Sequence, residues 1–137
     1  MKPTSDGTTD RISILVCEDE SVIALDLAMT LEEMGHRVLG PCGQLSEAMR
    51  VLEMECPDIA VLDVSLRDGE TFGLADRLTG QGVEIIFHSG GTEDDAIASR
   101  YPRAHICPKP MDPKMFAAML SEAILSVRRR RAGTPVT

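Results

Sequence analysis

The feature that most constrains the fold is an apolar run, residues 59–64, that carries one carboxylate, Asp63, near its end. Turn-forming residues follow it at 65–69. A continuous apolar run of this length between turn residues is typical of a strand covered on both faces in a parallel sheet. Such sheets keep their chemistry outside the carboxyl ends of their strands. Asp63 therefore either begins a loop or supplies a reactive group, and the neighbouring strands must decide between the two.

Four more short apolar runs alternate with segments that carry apolar residues at helical spacing. The predicted strands cover residues 11–17, 36–41, 59–64, 83–88 and 104–107. The predicted helices cover residues 22–34, 46–54, 71–79, 92–101 and 113–127. This order of five strand–helix units predicts an α/β fold, (βα)5, with helices on both faces of a parallel sheet.

Three polar residues are expected to cap helices. Ser46 stands before the second helical pattern, and Thr92 with Asp95 has the spacing of a capping box. Asp112 precedes Pro113, which suits a capping carboxylate followed by proline at the first helical position.

The chain of 137 residues is long enough for one domain with its own core. We expect a disordered N-terminus at residues 1–10, the folded domain at 11–127, and a basic, flexible tail at 128–137. The four arginines at 128–131 suggest affinity for nucleic acid or for an anionic membrane. The favoured alternative is that they close the last helix, where cations complement the helix dipole, and then keep the tail soluble.

Composition excludes several classes of protein. The net charge of −8 argues against general affinity for nucleic acid, which depends on neutralising phosphates. No apolar run approaches the ~20 residues of a membrane span, and the N-terminus lacks the apolar core of a secretory signal, so we predict a cytoplasmic protein. The four cysteines form no CxxC pair, which argues against a zinc site and against a disulfide framework.

Polar residues gather where four of the five predicted strands end. Glu18 and Asp19 follow the first strand, Asp63 ends the third, Ser89 follows the fourth and Lys109 follows the fifth. In a parallel sheet these ends share one edge. Carboxylates crowded together repel each other unless a cation lies between them. Mg²⁺, or Mn²⁺, would accept these few oxygen ligands and keep several waters, so the edge predicts a metal site.

One carboxylate, a metal, a lysine and a hydroxyl are the parts that phosphoryl transfer requires. Charge on the transferred oxygens would be met by the cation and by Lys109, and Ser89 would offer a hydroxyl donor. Asp63 is the expected nucleophile, because aspartyl phosphates are an established form of covalent carboxylate catalysis.

With these residues the sequence resembles the receiver domain of bacterial two-component response regulators, over roughly residues 11–127. The matching positions are Cys17, Glu18, Asp19, Glu20, Leu62, Asp63, Val64, Ser65, Leu66, Gly73, Ser89, Gly90, Lys109 and Pro110. The resemblance implies a flavodoxin-like, doubly wound sheet with strand order 2-1-3-4-5. It implies that Asp63 takes a phosphoryl group from a histidine kinase or a histidine phosphotransfer protein.

The resemblance also assigns the metal ligands. Asp19 and Asp63 would bind Mg²⁺ directly, together with the backbone carbonyl of Ser65, and Glu18 would act mainly through bound water. Such domains phosphorylate and dephosphorylate themselves without being enzymes in the usual sense, and they signal by binding other proteins.

The remaining implications concern Lys109 and the partners. Lys109 and Ser89 would hold phosphoryl oxygens, and the bond from Lys109 to Pro110 is usually cis in the family. The usual partner surface lies near the fourth helix, fifth strand and fifth helix. We expect a stand-alone receiver that is monomeric or weakly dimeric; a fragment of a longer regulator remains an alternative. The receiver is expected to bind an unknown downstream protein and to make no direct contact with nucleic acid or membrane.

Two positions depart from the family pattern. Arg67 stands four residues after Asp63, where a proline is common. Ile106 stands three residues before Lys109, at the usual place of an aromatic switch residue, and Tyr101 lies too far upstream to align there. The signal is therefore expected to leave through the glycine pair Gly90 and Gly91, whose backbone is unrestricted.

Two other classes of function were weighed. A metal-dependent phosphatase or phosphotransferase with an aspartyl intermediate would need a second acid two residues after the nucleophile, and that position is Ser65. A flavin binder would need a phosphate-binding loop after the first strand, where this chain has the acids at 18–20. The phosphatase remains the main alternative.

Overall fold

The computed structural model describes residues 11–133. The predicted disorder at residues 1–10 lies outside the described part of the chain, as do residues 134–137. The strands are β1 Ser13–Cys17, β2 Arg37–Cys42, β3 Ile59–Asp63, β4 Ser65–Leu66, β5 Gly69–Glu70, β6 Glu84–Ser89 and β7 His105–Pro108. The helices are α1 Ser21–Glu33, α2 Leu45–Met54, α3 Phe72–Gly80, α4 Asp94–Arg100 and α5 Pro113–Arg131.

Five parallel strands form the central sheet in the order β2-β1-β3-β6-β7. The strands β4 and β5 form a separate antiparallel hairpin in the loop after Asp63. Without this hairpin, which the sequence analysis did not predict, the order is the predicted 2-1-3-4-5. The predicted flavodoxin-like fold is confirmed.

Alternate side chains of each strand divide the core between the two faces of the sheet. Leu15 and Cys17 of β1 pack in the cluster under α2, α3 and α4. Their neighbours Ile14 and Val16 pack in the cluster under α1 and α5. Strand β3 is buried along its whole length, as its unbroken apolar run predicts. Asp63 is therefore delivered to the sheet edge by a strand that is held from both sides.

Two of the three predicted helix caps are wrong. Helix α2 begins one residue before Ser46, and its cap position is Gln44, whose backbone N–H donates to Glu47 at 3.1 Å. Helix α4 begins at Asp94, so Thr92 lies outside the cap position. The third cap is confirmed, because the Asp112 side chain accepts a hydrogen bond from the backbone of Lys114.

Helix α5 continues four residues beyond the predicted domain boundary, through Arg131. The arginines at 128–131 thus belong to the helix and not to a tail, which corrects the predicted boundary. Arg130 pairs with Glu84 at 2.7 Å and Arg131 with Asp58 at 2.7 Å. These contacts support the interpretation that the cations close and fasten the helix.

Two further features concern the class of protein. None of the helices within residues 11–133 is long and apolar enough to cross a membrane. The cysteines are free; Cys17, Cys42 and Cys107 are buried and Cys56 is exposed.

Candidate functional site

An ion pair between a buried carboxylate and a partly exposed lysine lies at the carboxyl edge of the sheet. Asp63, at the end of β3, is only 4% exposed. The Lys109 ammonium group donates to both of its carboxylate oxygens, at 3.0 and 3.1 Å. The peptide bond from Lys109 to Pro110 is cis, as the resemblance implied. The fold thus brings the ends of β3 and β7 together around one carboxylate.

Two further carboxylates converge on Asp63. Oxygens of Glu18, Asp19 and Asp63 all lie within 4.8 Å of one another. The first two residues follow β1, which is hydrogen-bonded to β3. The Ser65 backbone N–H lies 3.4 Å from an Asp63 oxygen, so the chain after Asp63 folds back over the acid. Hard oxygen donors grouped this closely suit a divalent cation such as Mg²⁺.

Burial and charge shift the pKa values of this group. Burial raises the pKa of Asp63, and the Glu18 charge adds to this, although hydrogen bonds from Lys109 oppose it. Burial also opposes ionisation of Glu18, but hydrogen bonds from His88 and from the Glu20 backbone outweigh it and lower its pKa. Burial likewise disfavours the charged form of Lys109, but Asp63 outweighs it and the pKa is raised. Lys109 is therefore held in its charged form beside Asp63, whose own ionisation is disfavoured.

The loop after Asp63 is fixed by a threonine that the sequence analysis missed. Thr71 is fully buried, and its hydroxyl lies 2.8 Å from the carbonyl of Asp63 and 3.1 Å from that of Val64. Its backbone N–H also donates to Val64 at 2.9 Å. Only the place of Thr71 just before the pattern of α3 could have drawn attention to it. The residue holds the backbone that orients Asp63.

The hydroxyl of Ser89 is turned to the next helix. It donates to Asp94 at 2.7 Å and accepts a hydrogen bond from the Gly91 backbone at 3.1 Å. The carbonyl of Ser89 accepts from the Lys109 backbone at 2.8 Å. Ser89 thus stands at the predicted edge, but its side chain is engaged with α4. Asp94 was not singled out from the sequence.

His88 is closer to the acids than the sequence suggested. It is 3% exposed, and its Nδ1 lies 3.4 Å from a Glu18 oxygen. Its Nε2 has no hydrogen-bond partner within residues 11–133. The sequence analysis treated this histidine only as one residue of the fourth strand. Because it lies in β6, a strand buried along nearly its whole length, its burial could be predicted but its partner could not.

Arg67 and Ile106, the two departures from the family pattern, differ in their surroundings. Arg67 lies beside the acidic segment that follows β1, with its guanidinium 3.4 Å from the backbone carbonyl of Asp19. Ile106 is half-buried against the core under α4. Tyr101 is buried in an aromatic group with Phe72 and Phe87. The Tyr101 ring is therefore packed in the core, at the C-terminal end of α4.

No protein-family model matches the chain. The solution structure of SdrG from Sphingomonas melonis is 31% identical in sequence and covers 85% of this chain and 98% of SdrG, with a TM-score of 0.69. The non-phosphorylated receiver domain of HemR from Leptospira biflexa is 27% identical and covers 83% of this chain and 94% of that domain, with a TM-score of 0.73. The chain belongs to the response regulator receiver domains.

One curated relative of the receiver is a longer protein. The phyllosphere-induced regulator PhyR of Methylorubrum extorquens is 33% identical over 125 residues, which are 87% of this chain and 47% of PhyR. The receiver therefore spans about half the length of that relative. The likeness agrees with the receiver fold described above.

Proposed function

We propose that this receiver accepts a phosphoryl group on Asp63 from a phosphohistidine of a kinase or phosphotransfer protein and then signals by binding another protein. The observation that carries the proposal is the position of the Lys109 ammonium group, 3.0 and 3.1 Å from the two oxygens of a buried Asp63. A charged lysine held at both oxygens stands where a phosphoryl group on either oxygen would need a counter-charge.

In the transfer, one oxygen of Asp63 forms a bond to phosphorus while the phosphorus–nitrogen bond of the donor breaks. The electron pair stays on the imidazole nitrogen, which takes a proton from solvent. The Lys109 ammonium group shifts its hydrogen bonds from the carboxylate to the phosphoryl oxygens. The Ser89 hydroxyl donates a hydrogen bond to another phosphoryl oxygen. Thr71 keeps the loop after Asp63 in place, so the attacking oxygen holds its direction.

The acids fit Mg²⁺ or Mn²⁺. Asp19 and Asp63 would bind the metal directly with the Ser65 carbonyl, and Glu18 would act through water. The bound cation would neutralise negative charge that develops on the phosphoryl oxygens. The fit rests on the three carboxylates, whose oxygens lie within 4.8 Å of one another, and on the repulsion that a cation would relieve.

The output is proposed to be protein binding through the surface of α4, β7 and α5, with the receiver as a monomer or weak homodimer. Direct binding to nucleic acid or membrane is not proposed, because Arg130 and Arg131 are already paired with acids of the domain. A phosphatase is not favoured, because Ser65 and not an acid stands two residues after Asp63.

The test is phosphorylation by a small donor. Wild-type protein incubated with Mg²⁺ and phosphoramidate, whose phosphorus–nitrogen bond resembles that of phosphohistidine, should gain the mass of one phosphoryl group. Asp63→Asn should gain none, and Asp95→Asn, which alters an exposed acid of α4, should behave as wild type. An unmodified wild type, or equal labelling of Asp63→Asn, would contradict the proposal.

The metal is tested separately by stability. A ligand that binds only the folded state stabilises it by about 2.7 kcal/mol at a hundred times its dissociation constant. MgCl₂ should raise the unfolding temperature of the wild type, and Asp19→Asn should lose most of this increase. Equal increases in both proteins would remove Asp19 from the metal site.

A further inference from the structure

The Ser89 hydroxyl can donate its single proton to only one of two competing acceptors. A serine hydroxyl has one proton to donate and two lone pairs to accept with. In this structure the proton is directed to Asp94, at 2.7 Å, and one lone pair accepts from the Gly91 backbone, at 3.1 Å. A hydroxyl that donates to Asp94 cannot donate to a phosphoryl oxygen at the same time.

We propose that Asp94 holds the Ser89 hydroxyl in the unphosphorylated receiver, and that a phosphoryl group on Asp63 takes it away and so releases the first turn of α4. The proposal rests on the proposed function, since it assumes phosphate on Asp63. Asp94 is a positioning residue in this scheme, because it acts through Ser89 and does not itself touch the phosphoryl group.

Only the N-terminal end of α4 would be released, because contacts to α3 hold its C-terminal end. At its C-terminal end, the Tyr101 hydroxyl lies 2.6 Å from a carboxylate oxygen of Asp76 and 3.0 Å from the carbonyl of Phe72. Arg100 forms an ion pair with Asp76 as well. These contacts tie the C-terminal end of the helix to α3.

At its N-terminal end, α4 is reached through Gly90 and Gly91. Gly91 has a positive φ of 108°, and a Cβ at either glycine would meet no described atom within 4 Å. Ile97 is the buried residue of the helix within Asp94–Arg100. The Ser89–Asp94 hydrogen bond thus ties this end of the helix to β6, and its loss would leave the first turn free to move about the glycines.

Charge would help the release. The phosphoryl group and the Asp94 carboxylate are both anionic, so a hydroxyl turned to the phosphate leaves Asp94 facing a like charge without its donor. The scheme also needs no aromatic residue at position 106. It gives this receiver a route from Asp63 to the surface of α4 in which Ile106 remains an ordinary core residue.

The experiment measures the affinity for beryllofluoride, a phosphoryl analogue, in the presence of Mg²⁺. Asp94→Ala removes the competing acceptor and should bind the analogue about tenfold more tightly, which is the size expected for loss of one competing charge-assisted hydrogen bond. Asp94→Asn keeps an acceptor oxygen without the charge and should lie between the two. Asp95→Ala removes the same charge from the same turn but not this contact, and should stay within about twofold of wild type.

A double-mutant cycle separates the contact from simple electrostatics. In the background of Ser89→Ala, which should bind the analogue more weakly, Asp94→Ala should have no further effect. The Gly91 amide gives a second readout, since it donates to the Ser89 hydroxyl: its proton chemical shift should change on adding beryllofluoride, together with those of residues 94 and 95, while the Tyr101 amide should change little.

Each outcome decides something. Equal affinities of Asp94→Ala and Asp95→Ala, or a gain from Asp94→Ala that persists without the Ser89 hydroxyl, would overturn the competition while the proposed function stands. A wild type that takes neither beryllofluoride nor phosphate would overturn the proposed function itself.

Discussion

Two neighbouring corners of the sheet edge are built in opposite ways. The Asp63 corner, residues 63–71, closes on itself through the buried Thr71, whose side chain reaches the carbonyls of Asp63 and Val64. The hairpin of β4 and β5 lies in the same loop. The Ser89 corner, residues 89–94, has two adjacent glycines and one side-chain hydrogen bond to the helix that follows. The strands that lead into the two corners are direct neighbours in the sheet.

In the proposed function this difference would separate two tasks of one site. The Asp63 corner would fix the direction of the attacking oxygen, which a loop with many contacts favours. The Ser89 corner would rearrange when a phosphoryl group is present, and a segment with few contacts costs little to rearrange. The receiver therefore places its fixed part and its adaptable part side by side, on adjacent strands.

Hydrogen exchange compares the corners directly. Thr71 is buried and its amide donates to the Val64 carbonyl, whereas Gly91 is exposed and its amide donates to the Ser89 hydroxyl. We expect Gly91 to exchange at least about a hundredfold faster than Thr71, a gap of roughly 2.7 kcal/mol in opening free energy. Similar protection at both amides would show that the corners do not differ in stability.

Thr71→Val should destabilise the protein by about 2 kcal/mol, because it leaves the buried Asp63 carbonyl without its hydroxyl donor while keeping the shape of the side chain. Urea unfolding measures this. Thr79→Val, at an exposed position of α3, is the control and should change stability by less than about 0.5 kcal/mol. If both variants unfold alike, the Asp63 corner does not depend on Thr71.

Tyr101→Phe should cost about 1.5 kcal/mol, because the ring packing stays and the hydrogen bonds to Asp76 and Phe72 are lost. Burial, with the Asp76 bond, raises the pKa of Tyr101 above its ordinary value. A raised pKa means that this stabilisation is complete below about pH 10 and is lost as the pH rises further.

Urea unfolding at several alkaline pH values checks the sign. The wild type should lose stability above about pH 10 more steeply than Tyr101→Phe. Parallel curves for the two proteins would show that the phenol does not anchor the C-terminal end of α4, and the one-sided attachment of that helix would then lose its support.

Gly91→Ala should cost about 1 kcal/mol, since only the positive φ opposes a side chain there. Gly90→Ala is the matched control: it has equally open surroundings and no positive φ, so it should change stability by less than about 0.5 kcal/mol. A comparison of the two unfolding curves decides whether the Ser89 corner depends on the backbone of Gly91.

The sequence predicted the fold and which side chains meet at the sheet edge, for a physical reason. Apolar runs and helical spacing set which segments are strands and helices, and parallel strands bring their carboxyl ends to one edge. Glu18, Asp19, Asp63 and Lys109 were therefore predicted together and lie together. The wrong cap at Ser46 shows the limit: Asp68, more than twenty residues away, accepts hydrogen bonds from the backbones of Leu45 and Ser46, and a local pattern cannot contain that partner.

By itself the sequence determined the order of strands and helices and the chemistry of the edge, because both follow from periodicity and from residue type. Only the tertiary structure decided what the side chains at that edge contact. It turned Ser89 to Asp94, placed Thr71 under the Asp63 loop and set His88 against Glu18. These choices depend on rotamers and on neighbours from other elements, so they appear only when the whole chain has packed.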